Sequence, residues 1–524
     1  MGDGSPLGEE TSNINDFVEE RLGYVYSEEG LYEPHEITFT VEVDKKVEIG
    51  DIVCIEHPSV SGVPVFYQVV EVPLRRRARD YEEDLIRLGK PIYDESRNYP
   101  RARAKQIGYY EDSRGLLSGC AEGEPLMLIE HIMPLMEVYR PRPEIISALI
   151  EPSALSIEIG SIYPGWKHTM KLELPKLLRQ GLLVVGGIGT GKTTTMLTIL
   201  KNIIKAIKGE GGNPHILIVD KDGEYGAQEL ISEADNSYVH IDIDKVYIDV
   251  ITDKSSFYHK LISELGLHPN SKLARSLRSI IYGMKGPFSM ELEFIRSLVN
   301  KVPVDMKTEF RSKIADYEKR LKEREETSGI GVSRIAELTS EKTIVHIDLS
   351  KTTDMEHAFH ILAELFRRIY ERALHDSSYG IIIAVDEAHL FAPEKGGIYL
   401  TEEQAVKDLK SVIELLATTG PRNGVTLLVA TQRPSLISKT ITTQMGQNII
   451  AHRVEDVDLG RIAEIMGPVA RRVRVLPRGW ALVKALAAKL REPLIVRVNA
   501  TAYPTSTGKT AYERFLERKE ITKT

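Results

Sequence analysis

The segment LLVVGGIGTGKT, Leu182 to Thr193, constrains this chain more than any other: a strand-length apolar run breaks into a glycine loop that opens directly onto a helix-forming stretch. From Gly186 to Thr193 it follows the pattern G-x-x-x-x-G-K-[ST]. The glycines let successive backbone N–H groups curl around a phosphate, and the helix N-terminus adds its positive dipole end. The candidate phosphate-binding residues are Gly187, Ile188, Gly189, Thr190, Gly191, Lys192, Thr193 and Thr194. Lys192 is expected to reach the β- and γ-phosphates of ATP, and the Thr193 hydroxyl to ligate Mg²⁺. A second GKT, Gly508-Lys509-Thr510, is a decoy: the pattern's first glycine would fall on Tyr503, and no apolar strand precedes it.

A strand–loop–helix of this kind belongs in a parallel α/β sheet, and the sequence supplies one. Apolar strands are read at 215–220, 343–349, 381–386 and 425–431, with helices near 192–207 and 402–418. Thr353 and Asp354 are candidate caps for an amphipathic helix carrying Ala358, Ile361, Leu362, Leu365 and Ile369. Four helix-sized patterns at 254–266, 271–284, 289–301 and 305–326 form an expected bundle inserted into this sheet domain. Residues 20 to about 150 read instead as short β-strands: Ile37, Phe39, Val41 and Val43 alternate with polar partners, and 49–55 and 63–72 follow. That pattern suggests a small barrel. Arg75, Arg76, Arg77, Arg79, Arg101, Arg103 and Lys105 form a segment that could face nucleic acid, but with DYEED at 80–84 beside it the preferred reading is a solvated surface loop. The expected organisation is a barrel over 1–160, the sheet domain over 161–252 and 331–496, the helical insertion over 253–330, and a C-terminal extension over 497–524.

At 42% hydrophobic and 27% charged residues, the composition is that of an ordinary globular protein. No apolar run approaches the roughly 18 residues that span a bilayer, and the acidic N-terminus carries no export signal. Cys54 and Cys120 show no metal-ligand spacing. The expectation is a cytoplasmic protein without a membrane anchor. A net charge of −8 argues against coating nucleic acid by bulk basicity, yet leaves room for a ring with a few basic inward loops.

Asp386-Glu387 closes the strand IIIAVDE. A carboxylate at that position is where a P-loop ATPase holds Mg²⁺, and Glu387 is then placed to polarise the attacking water. The strand at 425–431 leads into Gln432, a candidate contact to the γ-phosphate or the lytic water. Arg422, on the turn Gly420-Pro421-Arg422-Asn423-Gly424, is a candidate arginine finger for a neighbour's nucleotide; the alternative is a surface turn arginine. Arg433 and Arg453 are weaker candidates. The tetrapeptide Asp386-Glu387-Ala388-His389 invites assignment to the DEAH-box helicases, but those enzymes carry two RecA-like lobes in one chain and no second lobe follows here.

Together the loop GGIGTGKT, the strand-end DKDGEY at 220–225, the DEAH segment and TQRPS at 431–435 resemble the HerA–FtsK class of DNA-pumping ATPases, with HerA the nearest match. The resemblance extends over most of the chain. It implies an α/β, RecA-like P-loop core with an N-terminal barrel akin to that of ATP synthase subunits and an inserted helical bundle. It further implies a homo-oligomeric, hexameric ring on duplex DNA and a NurA-type nuclease partner in DNA end processing for repair. Carried over, Lys192 and Thr193 hold phosphate and Mg²⁺, Asp386 holds Mg²⁺, Glu387 is the base, Gln432 the sensor and Arg422 the finger. Asp220 and Glu224 border the site. Lys395, in the loop after Phe391, is the candidate DNA contact. The barrel would dock the nuclease, with Ile49 and Val53 as surface candidates if they are not core. The second reading is an AAA+-like protein-remodelling ring, for which Phe391 and Tyr399 would grip polypeptide.

Overall fold

The computed structural model describes residues 13–26, 34–42, 44–72, 101–110, 114–117, 125–152, 154–163, 168–235, 237–251, 254–285, 288–325, 329–394 and 404–505. The chain divides into two units, Met1–Leu174 with Leu482–Arg497, and Pro175–Ala481 with Val498–Thr524.

In the first unit, β1 (Val18–Val25), β2 (Glu36–Val41), β3 (Ile52–Glu56), β4 (Pro64–Glu71), β5 (Arg101–Gly108) and β6 (Glu137–Pro141) close a barrel in the order β1-β2-β5-β4-β3-β6. The period-2 pattern works as expected along β2, where Ile37, Phe39 and Val41 point into a core shared with Leu22, Tyr67 and Val138. Arg101, Arg103 and Lys105, read from sequence as loop, lie instead on β5. Small Ala102 and Ala104 fill the inward positions between them, so the alternation was hidden by residues of low β-propensity. Their charges are engaged at the barrel surface: Arg103 pairs with Glu36 at 3.2 Å and with Glu71, and Lys105 with Glu492 at 3.3 Å. Arg75, Arg76, Arg77 and Arg79 lie outside the described residues. Val53 is wholly buried and offers no docking surface, while Ile49 is partly buried and packs on the same core. A further hairpin, β7 (Ser156–Ile162) and β8 (Thr169–Glu173), is antiparallel, with the late strand Leu494–Val498 beside β7.

The second unit is built on seven parallel strands: β9 (Leu182–Val185), β10 (Ile216–Asp220), β11 (Tyr238–Asp242), β12 (Ile344–Asp348), β13 (Ile381–Val385), β14 (Val425–Thr431) and β15 (Asn448–Ala451). They run in the order β11-β12-β10-β13-β14-β9-β15. The central strands are buried along their whole length, which is why they read as continuous apolar runs rather than alternating ones. Because all seven are parallel, their C-terminal tips share one edge. The phosphate loop, Asp220, Asp386-Glu387, Gln432 and His452 each follow one of those tips. Among the helices of this unit are Lys192–Gly209, Met355–His375 and Gln404–Thr419. Asp354 caps the second of these, its carboxylate accepting from the His357 N–H at 2.9 Å. Between β11 and β12 lie helices at Lys254–Glu264, Lys272–Gly283, Leu292–Leu298 and Lys307–Glu325. Phe257 stacks on Phe288 at 5.0 Å and meets Phe294 edge-on at 5.8 Å, giving this segment an aromatic centre. No helix among the described residues is long and apolar enough to cross a membrane.

Glu364, on the helix Met355–His375, is buried and carries a pH dependence. Burial raises its pKa to about 7 from an ordinary 4.5, against the lowering pull of Arg368 and Arg367. A carboxyl raised on folding binds its proton more tightly in the native state, so the stability it contributes at low pH is lost as pH rises from about 4.5 to about 7. Urea titrations at pH 5 and pH 7.5 are expected to show the native chain losing midpoint over that interval, and Glu364→Gln losing much less of it.

Candidate active site at the strand tips

β9 ends in a loop whose backbone only glycine tolerates at two points: φ is +69° at Gly189 and +117° at Gly191, which caps the helix Lys192–Gly209. Gly186 has a different reason, since a Cβ there would stand 2.7 Å from both the His452 Cβ and the Thr190 hydroxyl. The loop is fastened from below by Gly187 N–H donating to the Arg453 carbonyl at 2.8 Å, and internally by the Thr190 hydroxyl donating to the Gly187 carbonyl at 2.8 Å. Ile188 is 85% exposed at the tip. At Gly186, Gly187, Gly189 and Gly191 the loop has no side chain and presents backbone.

Lys192 is buried, and its ammonium donates to Glu387 Oε1 at 2.9 Å. Burial alone would lower its pKa, but the carboxylates of Asp386, Glu387 and Glu224 hold it above the usual value. Glu387 is held in a left-handed backbone conformation, with φ +47°, rare for a side chain of this type. Both of its oxygens are taken. Oε1 accepts from Lys192 and from Gln432 Nε2 at 2.6 Å, while Oε2 accepts from the Gln432 N–H at 3.0 Å and lies 3.3 Å from His389 Nδ1. Against the raising effect of burial, His389, Lys192 and the Gln432 amide bring Glu387 down to about 2. Asp386 is the opposite case. It is buried, its Oδ1 has no hydrogen-bond partner among the described residues, and burial pushes it well above the usual carboxylate range despite Lys192.

Across the edge, Asp220 organises the DKDGEY turn. Its Oδ1 accepts from the N–H groups of Asp222 at 3.2 Å and Gly223 at 2.8 Å, and its Oδ2 from Tyr225 N–H at 2.8 Å. His346 Nε2 lies 2.9 Å from the same Oδ2, and Tyr238 OH 2.7 Å from the other ring nitrogen. Asp220 is thus spent on its own turn. Glu224 accepts from the Thr193 hydroxyl at 2.8 Å. One carboxylate oxygen each from Asp222, Asp386 and Glu387 lie within 4.8 Å of one another. Hard oxygen donors, one of them buried and unpartnered, suit a small divalent cation such as Mg²⁺.

The geometry thus gathers Lys192, Thr193, Asp386, Glu387 and Gln432 into one cluster. Arg422 is not part of it: it is exposed on the turn Gly420–Asn423, which precedes β14 and lies at the opposite, N-terminal end of the strands. A cavity of about 480 Å³ opens at that far end, lined by Leu178, His215, Ile382, Pro421 and Thr426 among others, and it is remote from the phosphate loop. Arg433 reaches towards Asp458, at 3.8 Å, and Arg453 is exposed. Lys395 lies outside the described residues.

Three contributors outside the motifs were missed from sequence. His452 sits wholly buried beneath the loop, with Nε2 2.8 Å from the Thr195 hydroxyl and Nδ1 2.9 Å from the Trp480 carbonyl. A carbonyl can only accept, so Nδ1 bears the proton and Nε2 accepts from Thr195; burial lowers the ring's pKa to about 4, keeping it neutral. Gly479 donates to the Thr190 carbonyl at 3.0 Å. Thr505 fastens the DKDGEY turn, its N–H donating to the Glu224 carbonyl at 3.0 Å and its hydroxyl to the Gly223 carbonyl at 3.2 Å. None follows from a motif. The one available signal for His452 was its position just after the apolar run IIA at 449–451.

Residues 157–369 match the family model described as the central domain of the helicase HerA. The DNA double-strand break repair helicase HerA of Pyrococcus furiosus is 22% identical over 403 residues, covering 65% of this chain and 69% of that one. A probable helicase of Methanocaldococcus jannaschii is 21% identical over 518 residues, 92% of this chain and 91% of its own. Among solved structures, VirB4 of Thermoanaerobacter pseudethanolicus covers 70% of this chain and 99% of its own at 12% identity, with a TM-score of 0.40. A likeness that distant has no bearing on function.

Proposed function

Because the chain carries a HerA-type central domain and is a member of the HerA–FtsK ATPases, we propose that it is an ATP-driven translocase that moves duplex DNA through a homo-hexameric ring. In this reading residues 161–252 and 331–496 form a RecA-like motor, 253–330 its helical insertion, 1–160 an ATP-synthase-like barrel, and 497–524 an extension. The observation that supports it best is the cluster around Lys192, Asp386, Glu387 and Gln432 at the tips of adjacent parallel strands.

Its chemistry follows from the contacts. The loop N–H groups other than that of Gly187, which holds the Arg453 carbonyl, cradle the phosphates of ATP. Thr193 and Asp386 would hold Mg²⁺, which supplies charge neutralisation on the β- and γ-oxygens. The Lys192 ammonium rests on Glu387. A γ-phosphate beside Lys192 draws that ammonium away, and Glu387 then loses one of the interactions that make it so weak a base. It gains basicity at the moment a water must be polarised. Gln432, bonded to Glu387 through both backbone and side chain, senses the same event. Arg422, at the opposite end of the strands from its own phosphate loop, is the proposed finger for a neighbouring subunit's nucleotide, where it would neutralise developing charge. A NurA-type nuclease is the proposed partner in DNA end resection, with the barrel as its dock and Lys395 as a phosphate contact on DNA.

The remodelling-ring reading needs an exposed aromatic grip. Phe391 is instead 1% exposed and packs edge-on against Phe359 at 5.9 Å, and Tyr399 lies outside the described residues. The deciding measurement is steady-state ATP hydrolysis with linear duplexes of increasing length, single strands or unfolded protein. Duplex DNA is expected to stimulate, more so with length, and its affinity to fall steeply with salt. Stimulation by unfolded polypeptide alone would overturn the DNA reading.

A further inference from the structure

The nucleotide cluster contains more acid than nucleotide hydrolysis needs. Asp222, Glu224, Asp386 and Glu387 surround one buried ammonium, Lys192. Two of these four are already committed: Glu387 has both oxygens in hydrogen bonds, and Glu224 holds Thr193. Asp222 and Asp386 are left.

Their proximity is built by the fold. β10 and β13 are adjacent and parallel, with Val219 opposite Val385 and the Asp386 N–H donating to the Val219 carbonyl at 3.0 Å, so the two strand tips end side by side. Asp220 then bends the chain back over the tip by accepting from Asp222 and Gly223, and Gly223 permits the bend with φ +74°. The result sets the Asp222 carboxylate within 4.8 Å of those of Asp386 and Glu387. One cation with oxygen ligands at about 2.1–2.5 Å can bridge such a spacing. The independent sign of a missing ligand is Asp386 Oδ1, buried at 2% residue exposure with no hydrogen-bond partner among the described residues. A buried carboxylate oxygen left so costs free energy unless something fills its place.

We propose that the chain binds a divalent cation before nucleotide arrives, with Asp222 and Asp386 as its protein ligands. The inference rests on the reading of this loop as a nucleotide site and adds Asp222 to its metal-binding residues. Asp222 thereby fixes the order of assembly: the cation is already at the strand tips when the phosphates reach Thr193 and Lys192. The DKDGEY turn becomes a metal-binding turn rather than only a border of the site.

The test uses the full-length chain freed of nucleotide and metal, titrated with Mn²⁺ and followed by electron paramagnetic resonance of the free ion. About one Mn²⁺ per chain is expected, displaced by excess Mg²⁺. Asp222→Asn and Asp222→Ala are each expected to weaken it about tenfold or more, with unchanged thermal unfolding because Asp222 is exposed. Parallel titration with a fluorescent ATP analogue in chelator separates the two readings. If the analogue binds but the chain takes up no Mn²⁺ at millimolar concentration, the early cation is overturned and the nucleotide site stands. If Mn²⁺ binds the Asp222 variants as tightly as the native chain, the assignment of Asp222 is overturned. If neither ligand binds, both readings fall together.

Discussion

Replacing Glu387 by glutamine is expected to reduce ATP turnover by about 10²–10⁴-fold while leaving ATP bound, the range that loss of a positioned general base gives. The substitution is nearly isosteric. The amide oxygen of the introduced glutamine keeps an acceptor for the Gln432 N–H, and the backbone, held at φ +47° by the strand-to-turn geometry, has no new side-chain branching to accommodate. What disappears is the basicity, together with the anion on which Lys192 rests at 2.9 Å. Single-turnover hydrolysis and equilibrium binding of an ATP analogue separate the two consequences. Lost binding together with lost turnover would argue that Glu387 builds the pocket rather than acting in it.

Lys192→Ala should be the more damaging change, because it acts on both chemistry and folding. In chemistry it removes the cation expected at the γ-phosphate. In folding it removes the positive member of a buried pair and leaves Asp386 and Glu387 facing each other in a poorly solvated site. Breaking a buried pair from one side costs about 3–5 kcal/mol. Without Lys192, the pull that keeps Glu387 low is weakened, so its pKa rises. Proton uptake then relieves the repulsion, and the variant should regain stability relative to the native chain as pH falls towards and through the ordinary glutamate value of 4.5. Chemical denaturation at several pH values tests this, and a deficit that does not change with pH would show that the pair is not the cause. The double substitution Lys192→Met with Glu387→Gln should cost less than the sum of the two single changes.

Much of this architecture can be read from residue patterns. The strands at 182–185, 216–220 and 425–431 fall within a residue of their sequence-based limits, because a strand buried on both faces needs an uninterrupted apolar run and its neighbours in sequence are polar or glycine. The helices Lys254–Glu264 and Lys272–Gly283 were visible through their apolar spacing. Strand β5 was not, since alanine at 102 and 104 gives no apolar signal at the positions that face inward. Within the site, Lys192, Thr193, Asp386 and Glu387 were legible because phosphate and cation chemistry fixes residue type and local spacing. His452 escaped because its role is to fill space and accept a hydrogen bond beneath the loop, tasks that leave no pattern along the chain. Asp222 escaped for a different reason. Its position depends on a bend held by Asp220 and on which strands are neighbours, and strand order is not written in any local segment.

The anchoring of the site by distant residues bears on how this protein can be divided. Every recognisable motif lies before residue 436, and a fragment ending there would look complete on paper. It would nonetheless lack the imidazole under the phosphate loop, the Gly479 N–H that holds Thr190, and the Thr505 contacts that hold the acidic turn. Such a fragment should still be recognisable as a member of its family while binding nucleotide poorly. Competence at this site is expected to depend on the chain through Thr505, not only on the segment that carries its signatures.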